Sequence, residues 1–150
     1  SPISGSWSVP RICSDSAFSC SRTARRTRPQ TPCRSIASPG TSRCNCSYCR
    51  KLRSWSVRST PEHFRLESGA QDLASYVFAK GAGLDHAFCR HCGVTLFVRG
   101  DIPEMGGAFV SIMVAVLEDA EEAELIAAPV AWCDGLNNNW WNPPGEVRHL

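Results

Sequence analysis

Two groups of closely spaced cysteines are the residues of this sequence best suited to chemistry. Cys44, Cys46 and Cys49 form a Cys-x-Cys-x2-Cys cluster, and Cys89 and Cys92 form a Cys-x2-Cys pair. Cysteines one or two positions apart seldom bridge each other, because a disulfide needs particular Cβ positions. In a reducing compartment such thiols more often bind a metal ion, and zinc is the usual choice of thiolate sites. The sequence therefore predicts bound zinc, as one ion or two.

The two groups predict different kinds of zinc site. A Cys-x2-Cys turn brings two thiolates to one ion, and Gly93 after Cys92 permits the positive φ with which such a knuckle ends. Cys44, Cys46 and Cys49 supply three thiolates, which would leave a fourth position open for a substrate thiol, as in catalytic sites. The metal ion would lower the pKa of a thiol bound in that position and hold it as thiolate. The alternative, a fourth protein ligand that makes the site structural, stays open.

The residues that must position these cysteines predict a mainly β fold. Short alternating or apolar segments follow one another between Gly and Pro turns, as in proteins built from short strands. The predicted strands are 54–59, 63–67, 73–80, 94–99 and 108–117. The connecting elements are a compact turn at 86–93, a loop at 100–107, a short helix at 118–128 and a loop-like tail at 137–144.

The first forty residues have a different composition from the rest. Residues 1–40 are rich in Ser, Arg, Pro and Thr, and their apolar residues follow no sustained period. Such a segment buries too little surface to offset the entropy of ordering it. We expect residues 1–40 to be a basic segment that is disordered or aberrant, the product of a shifted frame or wrong start. A zinc-binding domain then spans residues 41–150.

Charge is divided unevenly along the chain. Residues 1–58 contain eleven Lys and Arg and one acid, whereas residues 59–150 contain five basic residues and thirteen acids. A basic arm of this kind either contacts nucleic acid or is simply solvated, and solvation is the favoured interpretation. No apolar run is long enough to span a membrane, and no signal-peptide core precedes the basic segment. We expect a cytoplasmic protein with no membrane partner.

Several other residues have simpler predicted roles. We expect Cys133 to be a buried small apolar residue and Trp140 and Trp141 to pack in the core. His63 and His86 are expected in surface or packing roles, and His91 in an exposed or supporting one. Arg50 and Lys51 would offset the negative charge of the three-cysteine cluster or lie in solvent.

Two motifs resemble a known family. The segments 43–51, with Cys44, Cys46 and Cys49, and 88–97, with Cys89 and Cys92, are similar in order and spacing to the glutathione-dependent formaldehyde-activating enzyme family, which includes centromere protein V. The resemblance implies an Mss4-like β-tent. It also implies a catalytic zinc at the three-cysteine cluster and a structural zinc held partly by the later pair.

The resemblance also implies an activity. It would be a carbon–sulfur lyase that forms or cleaves an adduct of a small-molecule thiol and an aldehyde, with glutathione as co-substrate. The family's early Cys-x-Cys motif has no counterpart here, since Cys13, Cys20 and Cys33 lack that spacing. The alternative function is a non-catalytic zinc module that contacts nucleic acid or protein through its basic N-terminal arm.

Overall fold

The computed structural model describes residues 7–9, 40–66, 69–77, 83–117 and 120–150. Two short α-helices, α1 (Ser47–Leu52) and α2 (Glu122–Ala127), accompany the strands of this part of the chain. The strands are β1 (Trp7–Val9), β2 (Thr41–Cys44), β3 (Trp55–Ser59), β4 (Phe64–Leu66), β5 (Leu73–Val77), β6 (Asp85–Cys89), β7 (Thr95–Ile102), β8 (Gly107–Met113) and β9 (Val130–Cys133).

Seven of these strands form one mixed sheet in the order β5-β6-β7-β8-β3-β2-β9. Neighbours in the sheet are antiparallel except β2 and β9, which run parallel at one edge. The short strands β1 and β4 form a separate parallel pair. The predicted mainly β class is confirmed.

The core lies at the middle of the large sheet. Val57 and Phe97 both face Ile112 across neighbouring strands, and all three side chains have no solvent exposure. Fully burying an apolar side chain of this size contributes roughly 1.5–3 kcal/mol. This row fixes the register of β3, β7 and β8, because a slip of one residue would turn every core side chain towards the opposite face.

Several predicted elements are confirmed with shorter bounds. β3, β4 and β5 lie within the predicted strands 54–59, 63–67 and 73–80, and α2 lies within the predicted helix 118–128. Residues 67, 78–80 and 118–119 of those predictions are outside the described residues.

Other predicted bounds were wrong. Residues 86–89 belong to β6, so only the residues that follow Cys89 form the predicted turn. β7 extends into the predicted loop 100–107 and ends at Ile102. It does so because its hydrogen-bonded ladder with β8 continues to the pair Ile102 and Gly107, where a hairpin closes it. β8 ends at Met113, and a 3₁₀ turn occupies Val114–Val116 where strand was expected.

The N-terminal segment is described only at Trp7–Val9, whose backbone pairs with β4. The predicted disorder of residues 1–6 and 10–39 therefore lies outside the described residues, as do Cys13, Cys20, Cys33 and most of the basic arm. Among the helices that the structure describes, none is long and apolar enough to cross a membrane.

Candidate metal and thiol site

The three-cysteine cluster lies where β2 passes into α1. Cys44 is the last residue of β2, Cys46 is the N-cap of α1 and Cys49 lies within that helix. Residues three apart share a helix face, which brings the sulfurs of Cys46 and Cys49 together. The three sulfur atoms lie within 4.8 Å of one another. Tetrahedral zinc with Zn–S bonds of about 2.3 Å would separate its sulfurs by about 3.8 Å, so the arrangement fits such an ion.

The three thiols have unequal acidity. Hydrogen bonds from the side chains of Cys44 and Cys49 stabilise the Cys46 thiolate, and the backbone N–H of Cys49 adds a further one at 3.4 Å. These interactions hold the pKa of Cys46 well below its ordinary value. The same sulfur hydrogen bonds raise the pKa of Cys44 and of Cys49, because they engage the protons of those two thiols. In the metal-free cluster Cys46 is therefore the thiol that gives up its proton most readily.

Asn45, between two of the cysteines, fastens the cluster to the end of β9. Its side-chain Nδ2 donates to Asp134 Oδ1 at 2.6 Å, and its Oδ1 accepts from the Leu136 backbone N–H at 2.9 Å. Asp134 also accepts from Asn137, and these two amides hold the pKa of its carboxyl below the usual range. Asn45 is only 6% exposed. Its buried polar groups are thus satisfied by one loop, which orients the backbone that carries the sulfurs.

Gly135 lies against Cys44 on the same loop. A Cβ at Gly135 would lie 2.7 Å from Cys44 Sγ and 2.7 Å from the ring of Trp140. Real Cβ atoms do not approach neighbouring atoms so closely, so a side chain here would push the sulfur or the indole ring away. A glycine at this position therefore lets Trp140 cover one side of the cluster.

A group of aromatic rings lies near the cluster, close enough for the charges of Cys46 and Cys49 to act on His86 and Tyr48. The ring of Tyr48 lies 4.2 Å from that of His86 and 6.2 Å from that of Tyr76. Burial lowers the pKa of His86, although the nearby charges of Asp85 and Cys46 oppose the shift. The buried Nδ1 of His86 has no hydrogen-bond partner among the described residues. His86 thus packs in a neutral form beside the cluster, in agreement with its predicted packing role.

The Cys-x2-Cys pair has a different geometry. Cys89 ends β6 with no solvent exposure, whereas Cys92 lies exposed in the turn that follows. The turn closes through Gly93 N–H to the Cys89 carbonyl at 2.8 Å, with Gly93 at φ +76°. In the part of the chain that the structure describes, Cys44, Cys46 and Cys49 are the one group of three or more candidate ligands that converges. The structural zinc predicted at Cys89 and Cys92 stays a prediction.

Other predicted residues take the following positions. His91 is exposed, and its Nε2 lies 3.0 Å from Asp72 Oδ1. Cys133 is half-buried and faces Cys44 in the β2–β9 register, and its burial raises the pKa of its thiol. Trp141 does not pack in the core as expected, since it is 67% exposed.

Sequence reasoning missed Asn45, Asp134 and Gly135 as parts of the site. An Asp-Gly dipeptide is typical of a turn. Nothing in the spacing showed that this turn meets the cysteines, because the parallel pairing of β2 with β9 joins segments almost ninety residues apart.

Comparisons with known proteins relate the chain to a family and to a solved structure. A family model described as glutathione-dependent formaldehyde-activating enzyme matches residues 30–134. A crystal structure of a Rhodobacter sphaeroides protein is similar at 26% sequence identity and a TM-score of 0.50, over 62% of this chain and 82% of that one. A search of curated proteins gave no significant match.

Proposed function

The chain belongs to the glutathione-dependent formaldehyde-activating enzyme family, and from that membership we propose that it is a zinc-dependent carbon–sulfur lyase acting on a thiol–aldehyde adduct of the S-hydroxymethylglutathione type. The convergence of the Cys44, Cys46 and Cys49 sulfurs within 4.8 Å carries the proposal. No fourth Cys, His, Asp or Glu among the described residues joins that group. The site therefore resembles catalytic zinc centres, which keep one position for substrate.

The donor set fits zinc on chemical grounds. Three sulfur donors favour a soft or borderline ion, and zinc accepts thiolates in a tetrahedral arrangement. When bound, zinc would lower the pKa of a thiol in the fourth position and so supply a thiolate nucleophile at neutral pH. Cys46 enters such a site already deprotonated, since hydrogen bonds from Cys44 and Cys49 lower its pKa.

The reaction is an addition that needs no redox partner. A carbon–sulfur bond forms between the thiol sulfur and the aldehyde carbon, and the thiol proton ends on the aldehyde oxygen. The reverse reaction breaks the same bond. The protein's own contribution is to hold the three sulfurs through the Asn45–Asp134 contact, with Trp140 packed close to Cys44 at Gly135. Such positioning converts a bimolecular encounter into a reaction between held groups.

We further propose that Cys89 and Cys92 contribute two ligands to a second, structural zinc. Its remaining ligands would come from the segment outside the described residues, where Cys13, Cys20 and Cys33 are the available thiols. Such a site would contribute directly to folding. The proposed localisation is cytoplasmic, because the thiolates need a reducing environment.

The test of the enzyme is the rate of adduct exchange. Zinc-loaded protein should accelerate the interconversion of glutathione, formaldehyde and S-hydroxymethylglutathione, followed by exchange NMR. Cys49→Ser should return the rate to the uncatalysed value, because it removes one of the three thiolates. Cys133→Ser is the matched control, since Cys133 faces Cys44 in the sheet but lies outside the cluster. Unchanged exchange with the wild-type protein, or equal loss in both variants, would count against the enzyme.

A further inference from the structure

A narrow groove beside the cysteine cluster is bordered by arginines. It is lined by Arg43, Cys44, Cys49, Arg50, Arg53, Ser54 and Leu150, and in this structure it leaves no room for a water molecule. An end group of a ligand whose reactive atom lies at the sulfurs therefore enters the groove only when Leu150 moves.

The charged side chains that line the groove are all positive. Three of its lining residues are arginines, and none of them is Asp or Glu. Within the described residues, no ion pair involves Arg43, Arg50 or Arg53. Guanidinium groups bind carboxylates in a fixed, often bidentate geometry. The groove therefore has the donors that a carboxylate needs and contains no side chain that competes for them.

Arg43 is held in place before any ligand arrives. Its guanidinium lies 5.0 Å from the ring centre of Trp55 and 5.9 Å from that of Trp132. Cation–π contacts with two rings restrict the side chain, so little conformational entropy remains to be lost on binding. Arg53 is the C-cap of α1 and has a left-handed conformation with φ 53°.

The guanidinium groups already bind acceptor oxygens of the chain itself. Arg43 Nη1 donates to the Leu150 carbonyl oxygen at 3.2 Å, and Arg53 Nη1 donates to the carbonyl oxygen of His149. Residues 143–150 form no helix or strand. These two contacts are the described hydrogen bonds that join residues 149 and 150 to the domain. Carboxylate oxygens of a ligand would accept from the same guanidinium donors.

We propose that Arg43, Arg50 and Arg53 form the subsite that recognises a carboxylate of the thiol substrate, and that residues 149–150 occupy this subsite until the substrate displaces them. The inference rests on the proposed function, because it assigns the acidic end of the thiol whose sulfur meets the cluster. It makes the site selective for thiols that carry a carboxylate over neutral thiols. It also makes the segment 143–150 a competitor of substrate.

Binding of two matched thiols tests the subsite. Zinc-loaded full-length protein is titrated by calorimetry with glutathione and with glutathione diethyl ester, in which both carboxylates are neutralised. We expect glutathione to bind roughly tenfold or more tightly, as a charge-assisted hydrogen bond allows. Arg53→Asn, which tolerates the left-handed backbone, and Arg50→Gln should each reduce that preference severalfold. Lys51→Gln is the control, because it removes a positive charge from the same helix but does not line the groove.

The outcomes separate this inference from the proposed function. Equal affinity for the two thiols in the wild-type protein would overturn the subsite and leave the enzyme standing. Absence of binding by either thiol to zinc-loaded protein would overturn both. A preference that falls equally in Lys51→Gln would show a general charge effect and overturn the assignment to the groove.

Deleting residues 149 and 150 tests whether they occupy the arginine subsite. Removing residues 149 and 150 should tighten glutathione binding severalfold, since the arginines no longer need to release carbonyl oxygens, and should leave binding of the diethyl ester unchanged. Unchanged or weaker glutathione binding would overturn the proposed competition by the chain's own segment.

Discussion

The two cysteine motifs of this chain have similar local spacing but different surroundings. At Cys44, Cys46 and Cys49 the sulfurs converge, and a loop some ninety residues away supports them through Asn45. At Cys89 and Cys92 one residue is wholly buried in the core and the other is exposed. Spacing determines which sulfurs are near neighbours, whereas distant segments determine whether a motif becomes a complete site.

The difference is also electrostatic. The first motif spans a helix N-terminus, where Cys46 accepts hydrogen bonds from neighbouring side-chain and backbone donors and its pKa falls. The second motif closes a hairpin between β6 and β7, and backbone hydrogen bonds at Cys89 and Gly93 close its turn. The first motif is thus a convergent group of thiols, and the second is a hydrogen-bonded turn.

Removing one thiolate from each motif should have the largest and most unequal effect. Cys46→Ser should lower the metal affinity of the cluster by about a hundredfold or more, since even the loss of a supporting contact costs tenfold to a hundredfold. Cys92→Ser should leave that affinity unchanged. The measurement is titration with Co²⁺, whose thiolate absorption band at the cluster should respond to glutathione.

The distinction between the two cysteine motifs would be contradicted if Cys92→Ser abolished the glutathione-responsive band as fully as Cys46→Ser did. Such a result would mean that the two motifs share an ion or fold as one unit. Cys89 is unsuitable for this test, because a hydroxyl in place of its buried sulfur would disturb the core as well.

Loss of the supporting amide should have the next largest effect. Asn45→Ala leaves Asp134 Oδ1 and the Leu136 N–H without the hydrogen bonds that Asn45 makes, although Asp134 keeps its bond from Asn137, and this costs roughly 1–3 kcal/mol of unfolding free energy. Zinc affinity of the cluster should fall about tenfold to a hundredfold. Urea unfolding and a chelator competition measure the two effects.

Asn142→Ala is the control for that substitution. Its side chain donates to Asn139 in an exposed position, so the change should alter stability by no more than about 0.5 kcal/mol. If the two variants behave alike, the Asn45 contact does not support the cluster.

The limits of sequence reasoning follow from the same contrast. The strands β3, β7 and β8 could be predicted because apolar residues such as Val57, Phe97 and Ile112 recur with the strand pattern and lie in the core. The candidate ligands Cys44, Cys46 and Cys49 could be predicted because all three lie within six residues. Local patterns were sufficient in both cases.

The elements around the cluster could not be predicted in the same way. β2 and β9 are four-residue strands whose pairing is parallel and long-range, and α1 has only six residues with little apolar periodicity. Arg43 joins Trp55, Trp132 and Leu150 through that same tertiary pairing. Neither secondary-structure propensity nor the spacing of residues in the sequence indicates such contacts.

Alanine substitutions at two glycines should distinguish the effect of close packing from the effect of backbone strain. Gly135→Ala places a Cβ against Cys44 and Trp140 and should cost about 1–3 kcal/mol by overpacking, with a weakened metal site. Gly93→Ala has open space but a left-handed φ, so it should cost about 1–2 kcal/mol and leave the cluster's metal affinity intact. Thermal unfolding measures the stability of the two variants, and the chelator competition measures their metal affinity. Equal metal affinity in the two variants would contradict the close packing at Cys44.

Proton release should give the smallest but most specific signal. The pKa of Cys46 is lowered and those of Cys44 and Cys49 are raised, so Cys46 is the thiol of the three that ionises first. Because zinc binds thiolates, its binding to the cluster should release about two protons, and affinity should fall about a hundredfold per pH unit as the pH is lowered near neutrality. Calorimetry in buffers of different ionisation enthalpy counts the protons, and Cys92→Ser should not change the number at the cluster. Release of three would show that Cys46 is protonated too, and the electrostatic difference between the two motifs would then disappear.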